Sequence, residues 1–398
     1  MYRSLLVLTA SLFAIGTDSF VIAGILPDAA HSFDVGVSTA GWLITAYSFA
    51  YAILGPVMAA VTTHWPRRML FLAGLGVFVV GNLLTALAPA FGVALVARAV
   101  AGLGGAMVSP TAIAAAAAIA PPERRGRAIA TVLAGLSAAT ALGSPIGTAI
   151  GSLSGDWRAT MLFVSALGVL AAAGIVLLLP KIPNPPLVPL RARLAPLGDR
   201  RIGVTLLTTL LAFTGLFTAY SYIAKGLDRA TDGSGTTLAV LLFIWGVAAT
   251  VGTLGSGALV DRIGARRIIN TAIVVIALDF ALLPWSSAHL ATTVVALILW
   301  GVCAWGLVTP QTHRLIGAMP AAAPMLTGLN NASLHVGVSI APLLGQVGIA
   351  WFGVHRLGLV GAVPIVLSLI AAETAQVLIH RHRAPETATA QAEPLPTK

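Results

Sequence analysis

The chain reads as an all-α membrane protein, with twelve transmembrane helices arranged as two pseudo-symmetric six-helix bundles. Three observations predict this. Of 398 residues, 58% are hydrophobic and only 9% charged, against roughly 25% charged in ordinary soluble domains, so lipid must be the solvent for most of the surface. Apolar runs long enough to cross a bilayer recur with short connections between them. When those runs are threaded alternately through a membrane, 18 of the 23 Lys and Arg residues fall on one side, as the positive-inside rule requires.

In chain order, the runs lie near 4–26, 39–63, 69–88, 90–119, 128–152, 159–180, 203–224, 238–260, 268–287, 290–318, 324–350 and 357–380. Each supplies the roughly 20 predominantly apolar residues that a span needs. The first is too long for a cleaved signal peptide and lacks a small-residue cleavage site leading to a soluble domain, so it reads as a retained span. With both termini cytoplasmic, the cytoplasmic side receives Arg67 and Arg68, then Arg124, Arg125 and Arg127, then Arg262, Arg266 and Arg267. Arg158, Lys225, Arg229 and Arg356 fall on the opposite side, and Arg98 lies within a span. The expected setting is a bacterial inner membrane.

The one long connection, residues 181–202, opens KIPNPPLVPLRARLAPLGDR. Its prolines prevent helix continuation and stiffen it, and it divides an N-terminal bundle (1–180) from a C-terminal one (203–380). The polar residues 381–398 read as a disordered cytoplasmic tail. The halves echo each other at a nearly constant offset: Arg67-Arg68 answers Arg266-Arg267 199 residues later, and Pro145 answers Pro342 197 residues later. Such an internal repeat points to duplication, and to a ligand site at the midplane between the bundles.

A net charge of +10 does not indicate nucleic acid, because the arginines sit in small clusters between apolar runs rather than along one face. Cys303 is the single cysteine, so no internal disulfide can form. HExxH, GxSxG and GxxxxGK[ST] are all missing from the sequence, which leaves metalloprotease, hydrolase and P-loop ATPase readings without their residues. The expectation is therefore a monomer that is not an enzyme, holds no cofactor or metal and draws energy from an ion gradient.

Four stretches carry a family resemblance: GTDSFVIAGILPDAA (16–30), LGSPIGTAIGSLSGDWRATM (142–161), GALVDRIGARR (257–267) and VTPQTHRLIGAMP (308–320). Through them nearly the whole chain resembles the major facilitator superfamily, in particular its twelve-span drug:proton antiporters near the arabinose/sugar efflux and chloramphenicol-resistance exporters. The resemblance implies the major facilitator fold and proton-coupled efflux of small amphipathic compounds by alternating access. Gly257, Asp261, Arg262, Gly264, Arg266 and Arg267 match the superfamily's cytoplasmic loop motif. There glycines allow a sharp turn and charged pairs can latch helix ends, although Arg residues in this place also serve simply to orient the chain. The first-half copy, AAVTTHWPRR, departs from the pattern, with Thr63 in place of the Asp and Pro66 in place of the second Gly. Gly143, Pro145, Gly147 and Gly151 resemble the antiporter signature of the fifth span. Tight helix packing by small residues is the plainer reading of the same pattern.

Ionisable groups within spans are costly and therefore functional candidates. Asp18 lies ~13 Å below the outer end of its span and Arg98 ~12 Å below the outer end of the fourth, at ~1.5 Å per residue, so the two fall at similar depth and can pair. Burial favours neutral Asp18 whereas a nearby Arg favours the carboxylate, and a competition of this kind can couple protons to transport. A static pair that specifies packing is the alternative. Asp279 and Glu373 are expected to pack or to pair with a neighbouring helix. His335 is expected to be a hydrogen-bonded structural histidine, and His313 with Arg314 to anchor the cytoplasmic end of the tenth span. Tyr47, Tyr220, Gln311, Asn330 and Asn331 are candidate cavity residues, with Asn82, Tyr222 and Trp245 as weaker ones. An importer of a sugar or metabolite, a membrane-embedded enzyme and a non-transporting receptor are the competing functions.

Overall fold

The computed structural model describes residues 2–121, 124–180, 182, 191 and 194–391. Among these there is no strand, and twelve helices are long and apolar enough to cross a membrane. They are α1 (Tyr2–Ser32), α2 (Val37–Gly55), α3 (Arg67–Ala86), α4 (Phe91–Ile119), α5 (Arg125–Ser154) and α6 (Trp157–Leu178) in the first half. The second half contains α7 (Arg200–Tyr220), α8 (Gly235–Val260), α9 (Ala265–Ser286), α10 (Leu290–Ala318), α11 (Met325–Phe352) and α12 (Val354–Arg381).

The turns between spans follow from local chemistry. Gly155, Gly264 and Gly353 take positive φ, which costs a residue without Cβ little, and each closes a helix. Asp156 accepts from the Arg158 amide and Asp199 from that of Arg201. Ser234 does the same for Thr237. All three are side-chain caps for otherwise orphaned N–H groups. The expected linker lies largely outside the described residues, and α7 begins at Arg200, just inside it. The last helix is described as far as Gln391, within the residues expected to form the tail, and residues 392–398 lie outside the described ones.

In the first half α1 packs against α5, α6 and α4, while α4 packs against α2 and α3. In the second, α7 packs against α11 and α12, and α10 against α8 and α9. The halves meet through two helix pairs, α2 with α11 and α5 with α8. Small residues let backbones approach where they must. A Cβ on Gly104 of α4 would lie 2.7 Å from the Gly74 carbonyl oxygen and the Phe78 Cα of α3. Along the α1–α5 seam, Gly143, Gly147 and Gly151 face Thr17, Val21 and Ile25, one step per helical turn on both sides.

Between the halves, one end is sealed. Tyr222 donates to the Ser38 carbonyl (3.0 Å) and Tyr220 to that of Phe20 (3.1 Å). Thr45 donates to the Ser339 carbonyl (3.0 Å), and Gly246 of α8 lies against the backbone of Thr140 and Ala141 in α5. The deepest of these contacts is the Tyr51–His335 ring stack, with centroids 3.9 Å apart. Toward the arginine-rich end the seam opens, and a Cβ on Gly126, Gly255 or Gly328 would meet nothing within 4 Å.

At the sealed end Asp228 accepts from Lys225 (2.8 Å) and lies 2.7 Å from His355 Nε2, clasping the α7–α8 loop to the α11–α12 turn. Partial burial raises the Asp228 carboxyl, but the hydrogen bonds from His355 and Lys225 outweigh it and hold the group below its ordinary value of 3.8. A depressed carboxylate stabilises the fold above its unfolded pKa and loses that contribution as pH falls through the folded one. Asp228→Asn should therefore lower Tm at neutral pH by an amount worth about 1 kcal/mol or less. The difference from wild type should shrink below about pH 4 in paired melts across pH.

Candidate functional site: a buried ion pair beneath a sealed gate

Asp18 on α1 and Arg98 on α4 are fully buried, at 0% and 1% exposure, and Arg98 Nη1 lies 2.5 Å from Asp18 Oδ1. Close packing of α4 through Gly102 and Gly104 against α2 and α3 brings the guanidinium to this depth. Asn82 of α3 donates to Asp18 Oδ2 (3.1 Å) and accepts from Arg98 Nη1 (3.3 Å). The guanidinium lies over the Tyr47 ring, 4.5 Å from its centroid, and Arg98 Nε donates to the Leu43 carbonyl (3.4 Å). Ser19 donates to the Tyr47 hydroxyl (3.2 Å). Four helices thus hold one compensated charge pair in an apolar bundle. Such a pair stands only while every member is satisfied. The sequence pointed to Asp18 and Arg98 by depth. Asn82 was among the weak candidates, because an Asn within a span does not name its partner.

Above the pair, toward the sealed end, aromatic rings from both halves converge. Phe20 of α1 lies 5.6 Å from Trp305, 6.1 Å from Phe217 and Tyr220, and 6.3 Å from Trp245, centroid to centroid. Tyr220 is therefore part of the gate, whereas Tyr47 belongs to the ion-pair network. Gln311 and Asn330 instead border a small cavity of about 10 Å³ with Thr208 and Thr209, space for about one water. There Thr209 donates to Asn330 Oδ1 (2.7 Å), and Gln311 Oε1 has no partner among the described residues. Asn331 is exposed, on the open side of α11. The five cavity candidates thus occupy different places rather than one pocket, because periodicity assigns a face of a helix but not a depth.

The antiporter-like stretch opens with a π-helical turn, Ala139–Gly143, closed by Ser144 N–H to the Ala139 carbonyl. Pro145 follows; its ring crowds the carbonyl four residues back, and a π-turn absorbs that misfit. Gly143, Gly147 and Gly151 pack on α1, and this π-turn is also where α8 crosses.

In the cytoplasmic loop motif, Gly264 forms the turn at φ 82°, and Gly257 meets only Thr309, at 3.9 Å. The Asp261 side chain lies outside the described residues, and Arg262 and Arg267 are exposed. Arg266 binds Glu373 through both carboxylate oxygens (3.1 and 2.5 Å), and Asn270 donates to the same group. Glu373 thus pairs across α9 and α12, within one half. In the first half Arg68 takes the parallel role by donating to the Val176 carbonyl of α6. Two expectations change. His335 stacks on Tyr51, and its Nδ1 is buried without a hydrogen bond among the described residues. Arg314 is buried at 7% exposure, donating to the Ala372 carbonyl, so it docks α10 on α12 rather than anchoring a surface. Asp279 packs rather than pairs: its Oδ2 is buried without a hydrogen bond among the described residues.

Two six-helix halves, joined along two helix pairs and sealed at one end, define a multi-pass membrane transporter. The chain belongs to the Major Facilitator Superfamily, whose family model matches residues 8–319 and 202–398. It is 30% identical over 359 residues to the MFS-type transporter YbcL of Bacillus subtilis, covering 90% of this chain and 92% of that one. To the inner membrane transport protein YdhP of Escherichia coli K12 it is 26% identical, covering 96% and 97%. To a chloramphenicol resistance protein of Streptomyces lividans it is 29% identical, covering 85% and 87%. Its fold is similar to a crystal structure of the nucleoside transporter NupG, with a TM-score of 0.75 at 14% identity over 94% of this chain and 99% of that one. A small-molecule substrate and a lipid bilayer are the partners such a transporter requires.

Proposed function

We propose that the chain is a monomeric, proton-coupled exporter of small amphipathic compounds such as drugs or sugars. In this reading it sits in a bacterial inner membrane with both termini cytoplasmic and works by alternating access. The carrying observation is the fully buried Asp18–Arg98 pair beneath a gate built from both halves. When the helices rearrange, either water reaches Asp18 or Arg98 moves away from it. The first eases desolvation of the carboxylate and the second removes its counter-charge, so proton affinity follows conformation. A ligand that alters the same geometry exchanges free energy with the proton. The aromatic gate around Phe20, Trp245 and Trp305 suits ligands with an apolar body, and likeness to a chloramphenicol resistance protein supports export.

Everted vesicles from an efflux-deficient host, challenged with a panel of drugs and sugars, test this reading. Gradient-driven accumulation that an uncoupler abolishes is the expected result. Uncoupler-sensitive uptake by right-side-out vesicles would replace export by import, and flux indifferent to the uncoupler would remove proton coupling.

A further inference from the structure

Asp279 lies in α9, the third helix of the second half, and is 7% exposed. Its counterpart helix in the first half, α3, contributes a neutral amide, Asn82, to an ion pair supplied by α1 and α4. In the second half the arrangement is reversed: the third helix brings the carboxyl, and no described cation meets it. On α10 the ionisable neighbour is the Cys303 thiol, a weak hydrogen-bond donor. The charged groups on the other elements against α9 are engaged elsewhere or exposed. Glu373 of α12 is held by Arg266 and Asn270 and His355 by Asp228. Arg314 of α10 donates through Nη1 to Ala372, its Nε and Nη2 have no partner among the described residues, and the charges it senses are Glu373 and Arg266 rather than Asp279. Arg262, beyond the end of α8, and Arg356 are exposed. One carboxyl oxygen, Oδ2, is buried with no hydrogen bond among the described residues. In an apolar bundle a lone ionised carboxylate costs far more than the neutral acid, which needs no counter-charge.

We propose that Asp279 is a proton-binding site separate from the Asp18–Arg98 pair, a carboxylic acid in this state that can release its proton when α9 and α10 part and water reaches it. The proposal stands whether or not transport is proton-driven.

Infrared spectroscopy of the purified full-length protein in lipid tests it directly. At neutral pH the spectrum should contain the carbonyl stretch of a buried protonated carboxylic acid. That band should vanish in Asp279→Asn, whose amide imitates the neutral acid in shape, shift in Asp279→Glu, and persist in Asp18→Asn. Aspartate carrying carbon-13 at its side-chain carboxyl should move the band in the wild type, which assigns it to an aspartate rather than a glutamate or a lipid, and the variants then single out Asp279. Dicyclohexylcarbodiimide, which adds to protonated carboxyls in apolar surroundings, should leave its adduct on the Asp279 peptide, with yield falling as pH rises. Absence of the acid band from the wild type, or its persistence unchanged in Asp279→Asn, would overturn the proposal. Loss of proton-driven flux in Asp18→Asn with the band intact would separate this site from the coupling pair.

Discussion

Asp18→Asn is expected to abolish gradient-driven transport and to destabilise the protein by about 3–5 kcal/mol, the usual cost of leaving one partner of a buried ion pair uncompensated. The substitution keeps the side-chain shape but leaves one acceptor oxygen where Asn82 and Arg98 both donate, and it removes the charge that Arg98 meets at 2.5 Å. Arg98 then retains the Asn82 amide, the Leu43 carbonyl and the Tyr47 ring, none of which carries a formal charge. The informative companion is Asp18→Asn combined with Arg98→Gln. With both charges gone, nothing buried is left uncompensated, so most of the lost stability should return, and the coupling energy between the two positions appears as non-additivity. Transport should not return with it. Thermal melts of single and double variants in detergent, beside vesicle flux, read both quantities. A double variant that transports with uncoupler sensitivity would reduce the pair to a packing device.

The second large effect concerns the seam between the halves. Gly246 of α8 faces the backbone of Thr140 and Ala141, beside the π-turn of α5. Gly246→Val places two methyls where the opposing backbone lies and cannot be relieved by a flexible side chain. Overpacking of this kind costs about 1–3 kcal/mol, and only in the conformation where α5 and α8 touch. The population of that conformation should fall by a factor of about 5–150. The sealed end should open more often, so that a cysteine placed at Ser144, which is 1% exposed and lies beside Tyr220 of the other half, reacts faster with a water-soluble maleimide than in the parent protein. Gly255→Val, further along α8 where a Cβ meets nothing within 4 Å, is the control and should leave that rate unchanged.

How far the sequence foretold this molecule can be judged residue by residue. The twelve spans were legible because bilayer thickness dictates run length. Most expected and observed boundaries differ by only a few residues, as where the run 128–152 became Arg125–Ser154, but the first span runs on to Ser32 instead of 26 and the second is given to Gly55 instead of 63. The Asp18–Arg98 contact was legible from depth alone, since rise per residue converts position into height. What escaped detection depends on azimuth and on partners. Asn82 joining the pair, Tyr47 lying under the guanidinium and Tyr220 reaching the Phe20 carbonyl each need the rotation of one helix against another, which apolar periodicity leaves loose. The π-turn at Ala139–Gly143 shifts the register of α5 by one residue, which no straight-helix projection anticipates. Asp279 was expected to pair or pack as most buried carboxyls do, and its isolation appears only when every neighbouring helix is in place.

Alternating access as proposed here requires the two halves to rock about a shared seam, opening one end as the other closes. Distances between spin labels test it most directly, in a Cys303→Ala background. One pair at Arg127 and Arg262 reports the arginine-rich end, and another at Leu153 and Thr236 reports the sealed end; all four positions are exposed. When the pH is lowered or a transported compound is added, the first distance should shorten while the second lengthens. Two distances that stay fixed, or that change in the same direction, would contradict the account.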